Sequence, residues 1–344
     1  MNKRKIFITG ANGFIGSYLL PKLAELGDEL TILCRDPNKI HPNRPLYRPL
    51  LPTGVKVIKG DLLQPNTYRE ALIGQDIIIH LAADYRVGIA PTRLEHKKMY
   101  QTNVTGTLNL LNEAKRAHTP QILYTSTTAA LGETQGVLLD ETHCHNGYFR
   151  SYYEETKQIA HVLVERHQQQ GMPIKIAICG GVFGQGDNSV LAQTLSAFFN
   201  KKIPFQISTN STFQLCHVEK LCDGLLRLLT LDKPQETVLF TGDVFSMPEI
   251  FTLLSEIQKT APLPIKNRSS LRPLAWLMDK LALLGFSMPL SCETLRIMDG
   301  STYTYSSYKA EQLLGWTAGE PLNDFKDYVQ SVANQYTLMG KEPK

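Results

Sequence analysis

Residues 5–16 read Lys-Ile-Phe-Ile-Thr-Gly-Ala-Asn-Gly-Phe-Ile-Gly, and this stretch decides the fold. Its apolar run, residues 6–8, is typical of a buried parallel strand. Three glycines at three-residue spacing follow, and a helical pattern covers residues 14–26. A strand, a glycine-rich turn and a helix in this order predict a dinucleotide-binding turn.

Each glycine of this turn has a physical reason. Gly10 permits the tight passage from strand to helix, Gly13 lets backbone approach a pyrophosphate, and Gly16 lets the helix pack closely on the strand. The amides and the dipole of the helix N-terminus then face the phosphates. The residues of this stretch that we expect to contact the cofactor are Thr9, Gly10, Asn12, Gly13, Phe14, Ile15 and Gly16.

The composition excludes several classes of protein. The chain has 344 residues, 42% of them hydrophobic, and its net charge of +4 is too mild to indicate nucleic-acid binding. No apolar run reaches the length of about 18 residues that a membrane span requires, so we expect none. Only three apolar residues follow the basic N-terminus, which does not match a signal peptide.

The cysteine pattern indicates free thiols. None of the six cysteines forms a CxxC pair, so we expect reduced thiols in a cytoplasmic protein. The tract His143-Cys144-His145 is interpreted as a polar loop because no second ligand cluster with suitable spacing accompanies it. We therefore expect no metal site.

Strands and helices alternate along the first half of the chain. This order predicts an α/β protein with a Rossmann-type doubly wound parallel sheet and a smaller C-terminal substrate-binding lobe. We expect the cofactor-binding domain in residues 1–179, with residues of about 215–242 returning to it, and the lobe in 180–214 and 243–344. The predicted strands are 30–34, 55–58, 76–81, 122–125, 174–179 and 236–240, the main predicted helices are 94–117 and 151–170, and the predicted loops are 41–53 and 180–186.

Tyr153 and Lys157 lie four residues apart on the predicted helix 151–170 and therefore share a face. Reduction of a ketone needs a proton donor at the carbonyl oxygen as hydride arrives. A neighbouring ammonium should lower the pKa of the phenol, which is ordinarily near 10. The strand end at residues 125–128, Thr-Ser-Thr-Thr, supplies hydroxyls that can hold the substrate oxygen.

Together these motifs make the chain resemble the extended short-chain dehydrogenase/reductase superfamily, which includes NAD-dependent epimerases and dehydratases. The resemblance covers nearly the whole chain. It implies that Tyr153 is the acid/base, that Lys157 binds the ribose and modulates the pKa, and that Thr127, preceded by Ser126, contacts the substrate oxygen. The motifs are the glycine turn, Gly60-Asp61-Leu62, His80-Leu81-Ala82-Ala83, Asn103-Val104-Thr105-Gly106-Thr107, His217-Val218-Glu219 and Leu314-Gly315-Trp316.

The same resemblance implies further cofactor contacts. They are Asp61, Leu62, Leu81, Ala82, Ala83, Asn103 and Lys157. For Asn103 we also expect either a proton relay or, with about equal weight, a structural role that holds backbone at a helix distortion. His217 is interpreted as a structural histidine.

The choice of cofactor depends on the end of the second strand. NAD-preferring sites place a carboxylate there to accept from the ribose hydroxyls, whereas this strand ends Cys34-Arg35-Asp36. The Arg35 guanidinium suits the 2′-phosphate of NADP. We therefore expect NADP, with NAD possible because Asp36 follows.

The resemblance also narrows the substrate. Nucleotide-sugar epimerases carry an Asn-Pro pair and an Arg-Asp pair at positions where this chain has Ile178-Cys179 and residues 213–216. Residues 82–86 and 221–223 are more similar to dihydroflavonol-4-reductase-like proteins and to hopanoid-associated sugar epimerase-like proteins. The predicted substrate contacts are Asp84, Tyr85, Arg86, Tyr148 and Phe149, with Phe205 as a further pocket candidate and Arg86 available for an anionic group.

These observations predict an NADP(H)-dependent oxidoreductase acting on the carbonyl or alcohol of a small, fairly apolar substrate. A nucleotide-sugar epimerase or dehydratase and a non-catalytic cofactor-binding scaffold are the alternatives. Relatives pair through helices matching 94–117 and 151–170, so we expect a homodimer. The apolar, basic residues 271–284 are expected to form core or a lid rather than a membrane-touching helix.

Overall fold

The computed structural model describes residues 3–39, 51–88, 92–286, 288, 290–300 and 302–339. The loop predicted at 41–53 lies mostly outside them. The strands are β1 (Lys5–Thr9), β2 (Glu29–Cys34), β3 (Lys56–Lys59), β4 (Ile77–His80), β5 (Gln121–Thr127), β6 (Ile174–Cys179), β7 (Gly181–Phe183), β8 (Gln206–Ile207), β9 (Thr212–His217), β10 (Glu236–Phe240), β11 (Asp243–Ser246) and β12 (Ile265–Lys266).

Helices connect these strands and cover the sheet. They are α1 (Phe14–Glu25), α2 (Arg93–Tyr100), α3 (Gly106–Arg116), α4 (Thr128–Leu131), α5 (Tyr152–Gln169), α6 (Val190–Phe199), α7 (Val218–Thr230), α8 (Met247–Gln258), α9 (Arg268–Leu283), α10 (Cys292–Ile297), α11 (Tyr308–Leu314) and α12 (Pro321–Met339). A π-helical turn at Gln101–Thr105 joins α2 to α3, so the helix expected over 94–117 is distorted in its middle.

The main sheet has seven parallel strands in the order β10-β6-β5-β4-β1-β2-β3. The predicted doubly wound parallel sheet is therefore confirmed. The chain runs outward from β1 to β3 and then returns to the other side of β1 with β4. The direction of winding reverses between β1 and β4, and in such sheets ligands bind beyond the carboxyl ends of the strands at this point.

Alternating side chains of the strands build one core on each face of the sheet. Ile6 and Ile8 of β1 belong to the core shared with α1 and α7, whereas Phe7 belongs to the core shared with α3 and α5. Since successive strand residues point to opposite faces, this continuous apolar run buries both faces of β1.

Residues 180–186 were expected to be a loop, and this expectation is wrong for their middle. Strand β7 occupies Gly181–Phe183 and pairs in parallel with β9, which pairs in antiparallel with β11. These strands have three to six residues and no clear alternation, so only their long-range pairing defines them. Phe183 also joins a third core with α6, α8 and α12.

Residues 271–284 were expected to form core or a lid, and the core alternative is wrong for the exposed side chains of this segment. Of α9, Leu271 and Ala275 are buried, and they pack against Leu295 of α10. Trp276 is 58% exposed and Leu284 is 74% exposed. The helix contacts α10 through these two residues, and the exposed apolar side chains of α9 are Pro273, Leu274, Trp276, Leu277 and Leu283. No helix among the described residues is long and apolar enough to cross a membrane.

Candidate active site

The glycine turn brings the ends of β1 and β4 into backbone contact. Gly10 has a φ of +74°, and a Cβ at this position would lie 2.5 Å from the amide nitrogen of Ala82. A Cβ at Gly16 would lie 2.5 Å from the carbonyl oxygen of Gly10. The missing side chain of Gly10 thus allows both the turn and the close contact with the backbone of residues 81–82. The missing side chain of Gly16 allows α1 to lie close to the turn.

The mouth of the turn fits a dinucleotide. Gly13 is the N-cap of α1 and no side chain caps the helix, so the first-turn amides remain available to a phosphate. Arg35 is exposed at the end of β2 and makes no ion pair within the described part of the chain. Asp36, the neighbouring carboxylate, accepts the backbone N–H of Asn38 at 3.2 Å. A free cation where the adenosine ribose is expected matches a phosphorylated ribose.

A buried chain of hydrogen bonds holds the carboxyl ends of β1 and β4 together. Nδ1 of His80 lies 2.7 Å from the Thr9 hydroxyl, and Nε2 lies 2.9 Å from the Thr107 hydroxyl. The Thr107 hydroxyl donates to the carbonyl oxygen of Asn103, so it must accept from Nε2–H, and Thr9 then donates to Nδ1. Burial, with a smaller contribution from Lys157, lowers the pKa of His80 to about 3, so the ring stays neutral. This neutral ring holds the Thr9 side chain against the cofactor turn.

Asn103 lies in the π-helical turn and is buried. Its Oδ1 accepts the backbone N–H of Asp84 at 2.7 Å, and its Nδ2 donates to the Asp84 carbonyl and to the Thr156 hydroxyl. The amide therefore ties the segment after β4 to the helix that carries Tyr153. This geometry gives Asn103 the structural role that the sequence left as an alternative.

Tyr153 and Thr127 meet at the carboxyl end of β5. Tyr153 is buried, and Thr127 lies near enough to its phenol to lower the pKa of that group, although burial raises this pKa by more. The ring of Tyr85 packs edge-on against Tyr153, with 4.9 Å between the ring centroids. The hydroxyl of Ser126 is buried and has no hydrogen-bond partner among the described residues. The structure thus brings Thr127, rather than Ser126, to the phenol.

The Lys157 ammonium lies beneath this pair. Its Nζ donates to the Tyr124 hydroxyl at 3.3 Å and to the Thr125 carbonyl at 3.1 Å, and it lies 5.0 Å from the centroid of the Tyr124 ring. Burial lowers the pKa of Lys157 to about 8. Burial also raises the pKa of Tyr153 well above its ordinary value, more than Thr127 lowers it. Lys157 is not among the groups that shift this pKa, so the lowering expected from Lys157 stays a prediction.

Of the predicted substrate contacts, Tyr85 lies beside the phenol and is 48% exposed. Arg86 is already paired: its guanidinium contacts Asp84 at 2.5 Å and Glu95 at 2.5 Å. An anionic substrate would have to compete with two carboxylates for this cation. The expectation that Arg86 is available for an anionic group is therefore wrong.

Two other predicted substrate contacts, Tyr148 and Phe149, lie near a polar cavity and the His145 ring. The Phe149 ring stacks on that of His145, with 4.4 Å between centroids, and Tyr148 lines a cavity of about 440 Å³. Arg150 and Glu133 form an ion pair in its wall. Polar side chains dominate the lining, which consists of Glu133, Gln135, Asn146, Tyr148, Arg150, Asn210, Gly300 and Thr302.

The sequence did not reveal that the carboxylate of Glu154, in the first turn of α5, is buried. Glu154 accepts the backbone N–H of Arg150 at 2.6 Å and the Tyr303 hydroxyl at 3.1 Å. His145 accepts the Gly147 N–H at Nδ1, so its Nε2–H donates to Glu154 at 3.1 Å. This cluster fixes the first turn of α5.

A second unpredicted carboxylate, Glu293 of α10, also contacts α5. Its two oxygens accept the backbone N–H of Gly88 at 2.7 Å and that of Tyr152 at 3.4 Å. It thereby ties the C-terminal part of the chain to the segment carrying Tyr85 and to the start of α5. Its partners are 205 and 141 residues away, so no local sequence signal indicates this role.

The remaining polar motifs have local roles. His217 is the N-cap of α7 and its ring accepts the backbone N–H of Glu219, which is a structural role. The described residues contain no group of three or more His, Cys, Asp or Glu side chains that could hold a metal ion.

Comparisons with known proteins show what the chain is similar to. The model of the NAD dependent epimerase/dehydratase family matches residues 6–239. The chain is 26% identical to a farnesyl-dihydroquinoline-oxide ketoreductase of Stigmatella aurantiaca, over 74% of this chain and 73% of the relative. It is 29% identical to UDP-glucuronic acid decarboxylase 5 of Arabidopsis thaliana, over 74% of each.

A solved structure has the same fold. MoeE5, in complex with UDP-glucuronic acid and NAD, superposes with a TM-score of 0.74 at 20% identity, over 97% of this chain and 99% of that one.

Proposed function

The chain belongs to the NAD dependent epimerase/dehydratase family, and from this premise we propose that it is an NADP(H)-dependent oxidoreductase for the carbonyl or alcohol of a small, fairly apolar substrate. The family comprises NAD(P)-dependent oxidoreductases, epimerases and dehydratases of the extended short-chain type. The observation that carries the proposal is the placement of the buried Tyr153 phenol next to Thr127, at the carboxyl end of β5 in the same sheet whose β1 ends in the glycine turn. The ketoreductase relative has a substrate with an apolar farnesyl group, which is consistent with it.

The nicotinamide, when bound, supplies or accepts the hydride. Thr127 holds the substrate oxygen, and Tyr153 donates its proton to that oxygen during reduction and takes it back during oxidation. Because burial raises the pKa of Tyr153, the phenol is protonated at neutral pH, which suits reduction. The ring of Tyr85 shields the phenol from water. The ammonium of Lys157 is held at β5 by its hydrogen bonds to the Tyr124 hydroxyl and the Thr125 carbonyl.

The exposed Arg35 supports the NADP preference. We assign the remaining cofactor contacts to the glycine turn, to residues 61–62 and to backbone at residues 81–83. The position of β10 beside β6 supports a cofactor domain of residues 1–179 with 215–242 returning to it. The substrate lobe is then formed by 180–214 and 243–344.

A screen of carbonyl compounds with NADPH would identify the substrate, and Tyr153→Phe would test the mechanism. We expect this variant to lose about 10²-fold or more in kcat while its NADPH affinity stays nearly unchanged, because one hydroxyl is removed from the reacting centre. Tyr152→Phe is the matched control, since this neighbouring ring stacks on His96 instead. Full activity of Tyr153→Phe on the identified substrate would show that the mechanism is wrong.

One observation favours a second candidate, a nucleotide-sugar epimerase or dehydratase. The cavity beside Tyr148 and Arg150 is polar, as a sugar would require. Against it stand Phe213 and Ile178, which offer no cation or amide for a nucleotide diphosphate. Calorimetry decides between them: we expect weak or no binding of UDP-sugars to the NADP-loaded protein, and a low micromolar dissociation constant would favour the epimerase.

A further inference from the structure

The outward face of α9 is unusually apolar for a solvent-exposed helix. Trp276 is 58% exposed, Leu284 is 74% exposed, and Phe286 in the following turn is 59% exposed. Isolated exposed apolar residues are common on protein surfaces, but a contiguous exposed apolar patch marks a site of contact with another protein or with a membrane. At 3.6 residues per turn, about 100° of the helix circumference holds one stripe, made up of Pro273, Trp276, Leu277, Lys280 and Leu284.

The charges around this stripe are positive. Lys280 lies within it, with its Nζ 5.4 Å from the Trp276 ring centroid, and Arg272 flanks it. Neither cation makes an ion pair within the residues that the structure describes. Asp279, the acidic residue of α9, turns toward α10, where it accepts the backbone N–H of Cys292 at 3.1 Å. The outward face therefore presents apolar and cationic groups together.

We propose that this face, Pro273 to Phe286, docks peripherally on an anionic lipid surface. Tryptophan and leucine side chains enter the boundary between headgroups and acyl chains, and lysine and arginine pair with anionic headgroups. The charges argue against a second copy of the chain, because a two-fold contact through this stripe would bring the cations Arg272 and Lys280 of one copy near those of the other. We propose a helix that lies on the membrane surface, since no described helix can span a bilayer.

The docked face lies one helix away from the candidate active site. Leu271 and Ala275 of α9 pack against Leu295 of α10, and Glu293 of α10 holds the backbone at Gly88 and Tyr152. Docking would thus set the segment that carries Tyr85 close to the lipid surface. The docking itself does not rest on the proposed reaction, and its test needs no turnover.

The test is flotation of the full chain with vesicles of phosphatidylcholine, with and without phosphatidylglycerol. We expect binding to the anionic vesicles, weakened by salt and by Lys280→Glu. Leu284→Ser should reduce the partition coefficient about tenfold or more, because burial of a leucine side chain is worth about 1.5–3 kcal/mol. The matched control is Ile73→Ser, which removes an exposed apolar side chain elsewhere and should leave binding unchanged.

Fluorescence gives a second readout. The chain has two tryptophans, and Trp316 is buried. Anionic vesicles should shift the Trp276 emission to shorter wavelength, and Trp276→Phe should abolish the shift without changing Tm. Equal binding to neutral vesicles, no binding to either kind, or an equal effect of Ile73→Ser would overturn the proposal. So would light scattering that shows Leu284→Ser dissociating a dimer, since the face would then be a subunit interface.

Discussion

Lys157 carries a buried positive charge whose cost can be measured. Its pKa falls from 10.5 to about 8 because burial disfavours the ammonium. Lys157→Met keeps the chain length and removes the charge, so the variant should gain stability wherever the native lysine is protonated. Binding of substrate and cofactor should suffer, because the contacts to Tyr124 and Thr125 are lost.

The size of the effect follows from the two pKa values. Below pH 8 the lysine is charged in both states, and folding carries the full penalty of burying the ammonium. Between pH 8 and pH 10.5 the folded protein releases its proton before the unfolded chain does, so the wild type regains stability as the pH rises. One pH unit is worth about 1.4 kcal/mol, which makes the penalty about 3 kcal/mol at pH 7 and about 2 kcal/mol at pH 9.

Urea denaturation of both proteins at pH 7 and pH 9 gives the measurement. The wild type should gain about 1 kcal/mol relative to Lys157→Met over this interval. The hydrogen bonds lost in the variant contribute to the stability difference at both pH values. The change in that difference between pH 7 and pH 9 therefore reports the ionisation of Lys157. Lys98→Met, at an exposed lysine, should show no such trend. A difference that is flat, or that changes in the opposite direction, would refute a pKa of about 8 for Lys157.

The other predictions concern the cofactor, the turn and the assembly. NADPH should bind more tightly than NADH. Arg35→Ala should reduce the difference between their binding free energies, measured by titration, by about 1.5–3 kcal/mol. Equal affinities of the native protein for the two cofactors would contradict this prediction. Gly16→Ala should destabilise the protein by about 1–3 kcal/mol in urea, because its Cβ would lie 2.5 Å from the Gly10 carbonyl oxygen, although helix propensity alone favours alanine. Light scattering should show a homodimer, and Val162→Lys on the half-buried face of α5 should dissociate it; a native monomer at micromolar concentration would exclude the dimer.

The features predicted from the sequence are those fixed by neighbouring residues. The glycine turn is one, because the reasons for Gly10 and Gly16 lie within the turn and the strand exits that it touches. The joint placement of Tyr153 and Lys157 on one helix is another, since their spacing of four residues puts them on one face. In both cases a short stretch of chain contains most of the geometry.

The features that the sequence missed depend on distant partners or on packing. Asp84 and Glu95 lie close to Arg86 in sequence, but the fold of the segment after β4 decides that both carboxylates pair with its guanidinium. The apolar residues of α9 were expected to form core or a lid because apolar faces usually become buried, but whether such a face is covered depends on the elements that pack beside it. The rise in the pKa of Tyr153 comes mainly from burial, which the sequence did not reveal because the depth of burial is a tertiary property.

The contact of Glu293 with Gly88 and Tyr152 has a consequence for how such enzymes diversify. The family match ends at residue 239, so this carboxylate belongs to the part of the chain that contains none of the matched residues. Substitutions around α10 can reposition the segment of Tyr85 and the start of α5 while every diagnostic motif stays intact. Two descendants with identical hydride-transfer residues can therefore diverge in substrate preference through their C-terminal thirds alone, and sequence motifs would not register the divergence.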